Sequence, residues 1–297
     1  MKSGLIYVFI TAIVFATLEP VSKLIAADIS PLAITAIRFL IGGVMLLPFS
    51  IYEIKKQKLR LGIGDHLKMA GLGVLFICLS MVMLQYAVKL SSSPSLIAIV
   101  FSSNSVITIC LSALMLRERI TVKKILALLL CAAGIFVCSR DSISVHNEAL
   151  SVVLAVLAAV TFSLYTVLNK KMMKKASGNI LIGFSFIYGS IILFAVNLLI
   201  GGEVVTTDNF SLTSGLIMFY IGFAVTGIGY WAYFKALEKG SATLASLSFF
   251  VKPALSPFVA VLVNGTPLAV DIFIALALVL IGSYLVSYSD KKNGGLK

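Results

Sequence analysis

The chain is 297 residues long, 60% hydrophobic and only 12% charged, with a formal net charge of +12. A soluble domain carries about 25% charged residues, so the composition excludes a soluble globular fold. The basic excess lies in short stretches between apolar runs, without interleaved aromatics. That is the pattern of membrane loops, and no nucleic-acid partner is expected.

The apolar runs are continuous and about 20 residues long, which predicts spanning helices; barrel strands would alternate over about ten residues. Ten such helices are predicted in chain order, near 5–26, 31–52, 66–88, 92–116, 122–139, 149–172, 179–200, 213–236, 241–263 and 268–288. Lys2, an apolar run and Ala26-Ala27 superficially resemble a signal peptide, but Glu19 interrupts the run and all that follows is also apolar, so this segment reads as a retained first span. Connections are short, and no extramembrane domain is expected. With the N-terminus placed in the cytoplasm, nineteen of the 24 basic residues fall in inner loops or tails and only Lys23, Lys89 and Arg140 fall outside. This asymmetry predicts both termini inside, in a bacterial cytoplasmic membrane. Cys78, Cys110, Cys131 and Cys138 all lie within apolar runs and read as buried thiols, with no metal-ligand spacing.

The two halves of the chain resemble each other. RITVKKILALLLCAAGIFV (Arg119–Val137) aligns with PLAVDIFIALALVLIGSYL (Pro267–Leu285), AVKLSSSPSLIAIV with ALEKGSATLASLSF, and FATLEPVSK with FSLYTVLNK. The offset stays near 148 residues throughout. Five helices per half is an odd number, so the second copy must be inverted in the membrane, as in secondary transporters whose substrate site lies between inverted repeats. The expected fold is an all-α membrane protein of ten transmembrane helices in two inverted five-helix repeats, at 1–140 and 148–290, with a cytoplasmic tail at 291–297.

The segments AVKLSSSPSLIAIVFSSNSVITICLSALMLRERIT and ALEKGSATLASLSFFVKPALSPFVAVLVNGTPLAV resemble the closing part of each repeat in the drug/metabolite transporter superfamily, EamA-like branch. The resemblance covers nearly the whole chain and implies a ten-helix transporter. Two positions depart from that pattern. Thr266 stands where a turn glutamate is usual, although Glu118 keeps it in the first half, and Lys252 precedes the midspan proline where glutamate or a small residue is common. Superfamily members that carry phosphorylated or carboxylated metabolites tend to place a basic residue in this helix; the resemblance implies the same use for Lys252.

Ionisable residues inside spans are expensive and tend to be functional. Glu19 in the first span and Arg38 in the second both lie roughly 10 Å below the outer surface at ~1.5 Å per residue, close enough in depth to pair. Lys252 sits at the centre of the ninth run, beside Pro253 and Pro257, where a kink is expected. Its repeat counterpart is Asn104 or Ser103. Glu19 serves either as a structural partner of Arg38, Lys23 or Lys252, or as a cavity carboxylate that takes a proton or a substrate amine. Lys252 either neutralises Glu19 or meets an anionic substrate group. Gln85, Asn104, Tyr165, Tyr230 and Trp231 complete the candidate substrate site, with Trp231 alternatively part of an interfacial aromatic belt.

No phosphate-binding glycine loop, metal-ligand cluster or catalytic nucleophile is discernible, so no cofactor, metal or enzymatic activity is expected. The sequence reads as a secondary transporter of a small polar metabolite such as an amino acid or organic anion, acting in the bilayer as an exporter with protons as a candidate coupling ion. A lipid-handling protein or intramembrane enzyme is the alternative.

Overall fold

A computed structural model describes residues 2–115, 146–203, 211–239 and 248–265 continuously, with single positions or short groups among 122–137 and 270–285 and at 245. The helices expected at 122–139 and 268–288 lie largely outside the described residues. Those described form eight helical units. α1 comprises Lys2–Ala16 and Leu18–Leu24. α2 is Pro31–Gln57, α3 is Ile63–Leu90, and α4 is Pro94–Met115. α5 is His146–Met172, α6 is Gly178–Leu199, α7 is Leu212–Lys239 and α8 is Ser248–Asn264. All but α8 supply a segment long and apolar enough to cross a bilayer.

Local chemistry sets where these helices start and break. Ser30 caps α2 by accepting from the Ala33 amide at 3.2 Å, with Pro31 in the first turn, where its missing N–H is not needed. Pro20 cannot donate back along α1, and the helix breaks three residues earlier at Thr17, whose hydroxyl donates to Val14 O at 2.8 Å. α4 breaks at Ser103 without a nearby proline. There Ser102, Ser103, Asn104 and Ser105 each donate to the carbonyl three or four residues back, at 2.6–2.9 Å, competing with the helical ladder. The kink expected at Pro253 and Pro257 is not seen as a break: α8 runs through both positions, and the interruption falls instead in its partner α4.

α1–α4 and α5–α8 pack in matching pairs. α1 lies against α7 and α8, while α5 lies against α3 and α4. α2 contacts α7, and α6 contacts α3. α2 meets α6, and α4 meets α8. The third helix of each set also carries a π-helical middle, Val74–Met81 in α3 and Ile221–Gly229 in α7, again about 148 residues apart. In the second, the Thr226 hydroxyl donates to Ile221 O, five residues back, at 2.9 Å.

Small residues set the closest helix crossings, as expected where no hydrophobic force drives helices together. α3 and α6 meet backbone to backbone at Gly73 and Gly189; a Cβ on Gly189 would lie 2.7 Å from Gly73 O. Gly189→Ala is therefore expected to lower stability by ~1–3 kcal/mol through overpacking. Gly71→Ala, on the same helix α3 with nothing within 4 Å, should be neutral within ~0.5 kcal/mol. Denaturant unfolding of the two variants in one detergent checks the difference.

Candidate functional site: a buried ionic cluster

Glu19, Arg38 and Lys252 are buried together, with relative exposures of 0%, 0% and 1%. The break in α1 puts Glu19 in the first turn of Leu18–Leu24. Lys252 of α8 donates to Glu19 Oε1 in a charged hydrogen bond, and its ammonium lies 5.1 Å over the Phe101 ring of α4. Arg38 of α2 is within electrostatic reach of Glu19 and of the Tyr230 hydroxyl, and Lys252 feels its charge. Its guanidinium carbon stands 4.6 Å over the ring of Phe39, and none of its three nitrogens finds an acceptor among the described residues.

The sequence left the partner of Glu19 open among Arg38, Lys23 and Lys252; the structure selects Lys252. Depth alone favoured Arg38, since the first two spans are adjacent. What decides against it is that α8 packs directly on the broken part of α1. Lys23 is engaged elsewhere, donating to Val88 O at 3.2 Å, Lys89 O at 2.9 Å and Ser91 O at 2.5 Å.

Aromatic rings fill the space around the cluster. Tyr230 contacts Phe15 at 4.7 Å, Phe39 at 5.8 Å, Phe76 at 5.3 Å and Phe186 at 5.4 Å between ring centres. Tyr165 stacks on Phe76 at 4.2 Å and reaches Ser185 with its hydroxyl at 3.5 Å. Asn104 and Gln85 are buried, with Asn104 Oδ1 and Gln85 Nε2 unpartnered. The Asn104 carbonyl also accepts from Ser163 of α5, tying the α4 break to that helix. Trp231 stands apart from this group: it is half-buried and edge-on to Tyr7 at 5.5 Å, and Lys239 lies over that same tyrosine.

Two lysines that sequence analysis did not assign to the site close the ends of the bundle. At one end Lys23 caps α3, as above, and Glu148 at the start of α5 accepts from the Ser91 hydroxyl at 2.9 Å and from the Ser92 amide. At the other end of α5, Lys170 donates to Leu237 O at the close of α7, at 2.7 Å. Lys23 and Lys170 are the last residues of FATLEPVSK and FSLYTVLNK, so the repeat alignment already carried the signal. At this second end Glu53 of α2 also receives Ser177, Asn179 and Lys235. A separate pocket of about 560 Å³ there is lined by Arg60, Lys68, Lys171, Lys174 and Lys175 with one acid, Asp65.

Among the described residues, no group of three His, Cys, Asp or Glu side chains gathers to hold a metal. The arrangement is one of charge recognition within a multi-pass helical membrane protein built on two repeats, the general plan of a membrane transporter. The family model described as the EamA-like transporter family matches residues 2–140 and 149–288, and the chain belongs to that family.

An uncharacterized transporter of Clostridium kluyveri is 32% identical over 304 residues, covering 100% of this chain and 97% of its own. Another from Archaeoglobus fulgidus is 26% identical over 87% of this chain and 89% of its own. The transporter YvbV of Bacillus subtilis is 27% identical, covering 92% and 87%. A solved crystal structure shares the fold with a TM-score of 0.72 at 18% identity, over 98% of this chain and 99% of that one.

Removing one member of the buried pair leaves the other charge without compensation. Glu19→Gln is expected to lower stability by about 3–5 kcal/mol, and adding Lys252→Met in that background should restore most of the loss. Unfolding of both single variants and the double variant gives the coupling directly.

Proposed function

We infer that the protein is a secondary transporter moving a small polar metabolite, an amino acid or organic anion, by alternating access around the Glu19–Arg38–Lys252 cluster. The observation that carries this reading is the cluster itself. Three ionisable groups sit sealed where helices of both repeats meet, and charge so placed in a membrane protein marks a substrate or ion path. Asn104, Gln85, Tyr165 and Tyr230 line the route around it. Trp231, packed on Tyr7, lies outside that route.

The exchange-related packing supports a ten-helix plan of two inverted repeats: each inter-half contact described above has its counterpart when α1–α4 and α5–α8 are swapped. The two lysine caps fit the same plan. Lys23 holds α1 to the end of α3 at one face, and Lys170 holds α5 to the end of α7 at the other. Releasing one cap while keeping the other would admit solute from one side only, which is the requirement of alternating access. The positive-inside pattern sets the Lys170 face toward the cytoplasm, together with both termini and the basic pocket beside it. Export from a bacterial cytoplasmic membrane follows as the working direction, with a proton exchanging at Glu19 as the coupling step.

The relatives named as transporters support this class over a lipid-handling protein or an intramembrane enzyme, and no catalytic nucleophile argues for the latter. In proteoliposomes, Lys252→Ala and Lys252→Met should both lose solute counterflow while remaining monodisperse, because restoring apolarity does not restore the charge. Lys252→Arg should retain part of it. Wild-type counterflow in Lys252→Met would overturn the assignment.

A further inference from the structure

We propose that the transported solute carries one net negative charge, as a carboxylate that docks on Arg38, with an apolar or aromatic body against Phe39, Phe101 and Tyr230. The proposal rests on the transporter reading and narrows it.

Charge balance is the first argument. Arg38 and Lys252 bring two positive charges and Glu19 one negative, so the sealed cluster is left with one cation in excess. Lys252 already has Glu19. Arg38 has no acceptor at any of its three nitrogens among the described residues, although it is fully buried. A buried guanidinium without a partner is strongly unfavourable, and the unfavourable term disappears when an anion binds.

Geometry is the second. Guanidinium is a planar fork that fits a carboxylate or phosphate through two parallel hydrogen bonds. Of the two, a carboxylate balances the excess charge, whereas a phosphate dianion would overshoot it by one. A zwitterion would leave the excess in place, and an amine would double it. Glu19 Oε2 is also buried and unpartnered, so a neutral donor on the solute, such as a hydroxyl, has an acceptor waiting.

The surroundings are the third argument. Arg38 lies over Phe39, Lys252 lies over Phe101, and Tyr230 packs on Phe15 and Phe39. Once polar contact is made, the remaining wall is aromatic, which suits an apolar body.

The test uses the purified full chain and four probes of similar size: benzoate, phenylphosphate, phenylalanine and benzylamine, with acetate and mandelate extending the carboxylate series. Thermal unfolding is followed against probe concentration for wild type, Arg38→Met and Arg38→Lys. Benzoate or mandelate should raise the unfolding temperature saturably, while phenylalanine and benzylamine should not. Arg38→Met should weaken carboxylate binding by about a hundredfold, and Arg38→Lys should weaken it less.

Without ligand, Arg38→Met should unfold at a higher temperature than wild type, because an unpaired buried charge is gone; a purely structural arginine would give the opposite. Stabilisation by benzylamine equal to that by benzoate, the same carboxylate response in Arg38→Met, or no response to any carboxylate would each overturn the proposal. Counterflow of a cationic or zwitterionic solute that depends on Lys252 would keep the transporter reading while sinking this one.

Discussion

An ion pair with an extra cation, held inside a protein that sits in hydrocarbon, constrains everything around it. On insertion scales each such charge at the centre of a span costs roughly 2.5–3.5 kcal/mol, and the surroundings must offset that without water. The break at Thr17 places Glu19 in the first turn of the following segment, α8 brings Lys252 against it, and aromatic rings pack around the pair. Arg38 is left as the one member of the cluster whose charge the described residues do not answer.

On the transport reading proposed above, the rest of the bundle is the means of opening that site from either side. The matching contacts of the two halves place equivalent helices around the cluster. π-helical middles in α3 and α7 mark the two third helices at equivalent points, the kind of local irregularity that recurs at functional positions. Glycine crossings bring the α3 and α6 backbones into direct contact. The lysine caps at opposite ends of α5 are polar contacts to backbone carbonyls, each replaceable by water when its end opens. Such contacts suit a latch better than an apolar seal, because exchanging them for solvent changes the free energy little.

Much of this was legible in the sequence, for definite reasons. Hydropathy marked the spans that the described residues contain, because a bilayer obliges the backbone to satisfy its own hydrogen bonds. The offset near 148 residues marked the two repeats, while the capping role of Lys23 and Lys170 went unread. The expense of charge in a span singled out Glu19, Arg38 and Lys252. Pairing was harder to read. Depth suggested Glu19 with Arg38, but the choice depends on which helices touch, and α1 touches α8 at the level of the break. The interruption of α4 was hidden as well. It arises from four small polar side chains bonding back to their own helix, a competition without proline that periodicity does not register. Trp231 was ambiguous in sequence because a single tryptophan near a helix end suits both a binding site and an aromatic belt; its packing on Tyr7 sets it apart from the cluster.

The central claim is that the sealed cluster becomes open to each side of the membrane in turn. Asn104, buried at the α4 break three residues beyond Phe101, over which Lys252 lies, can report this directly. Asn104→Cys, with Cys78, Cys110, Cys131 and Cys138 replaced by serine, would be labelled in oriented vesicles with a membrane-impermeant thiol reagent applied from one side and then the other. The account predicts labelling from both sides, with access from either face suppressed when the opposite face is locked open. Protection from both sides in protein that still carries out counterflow, or labelling from one face alone, would contradict it.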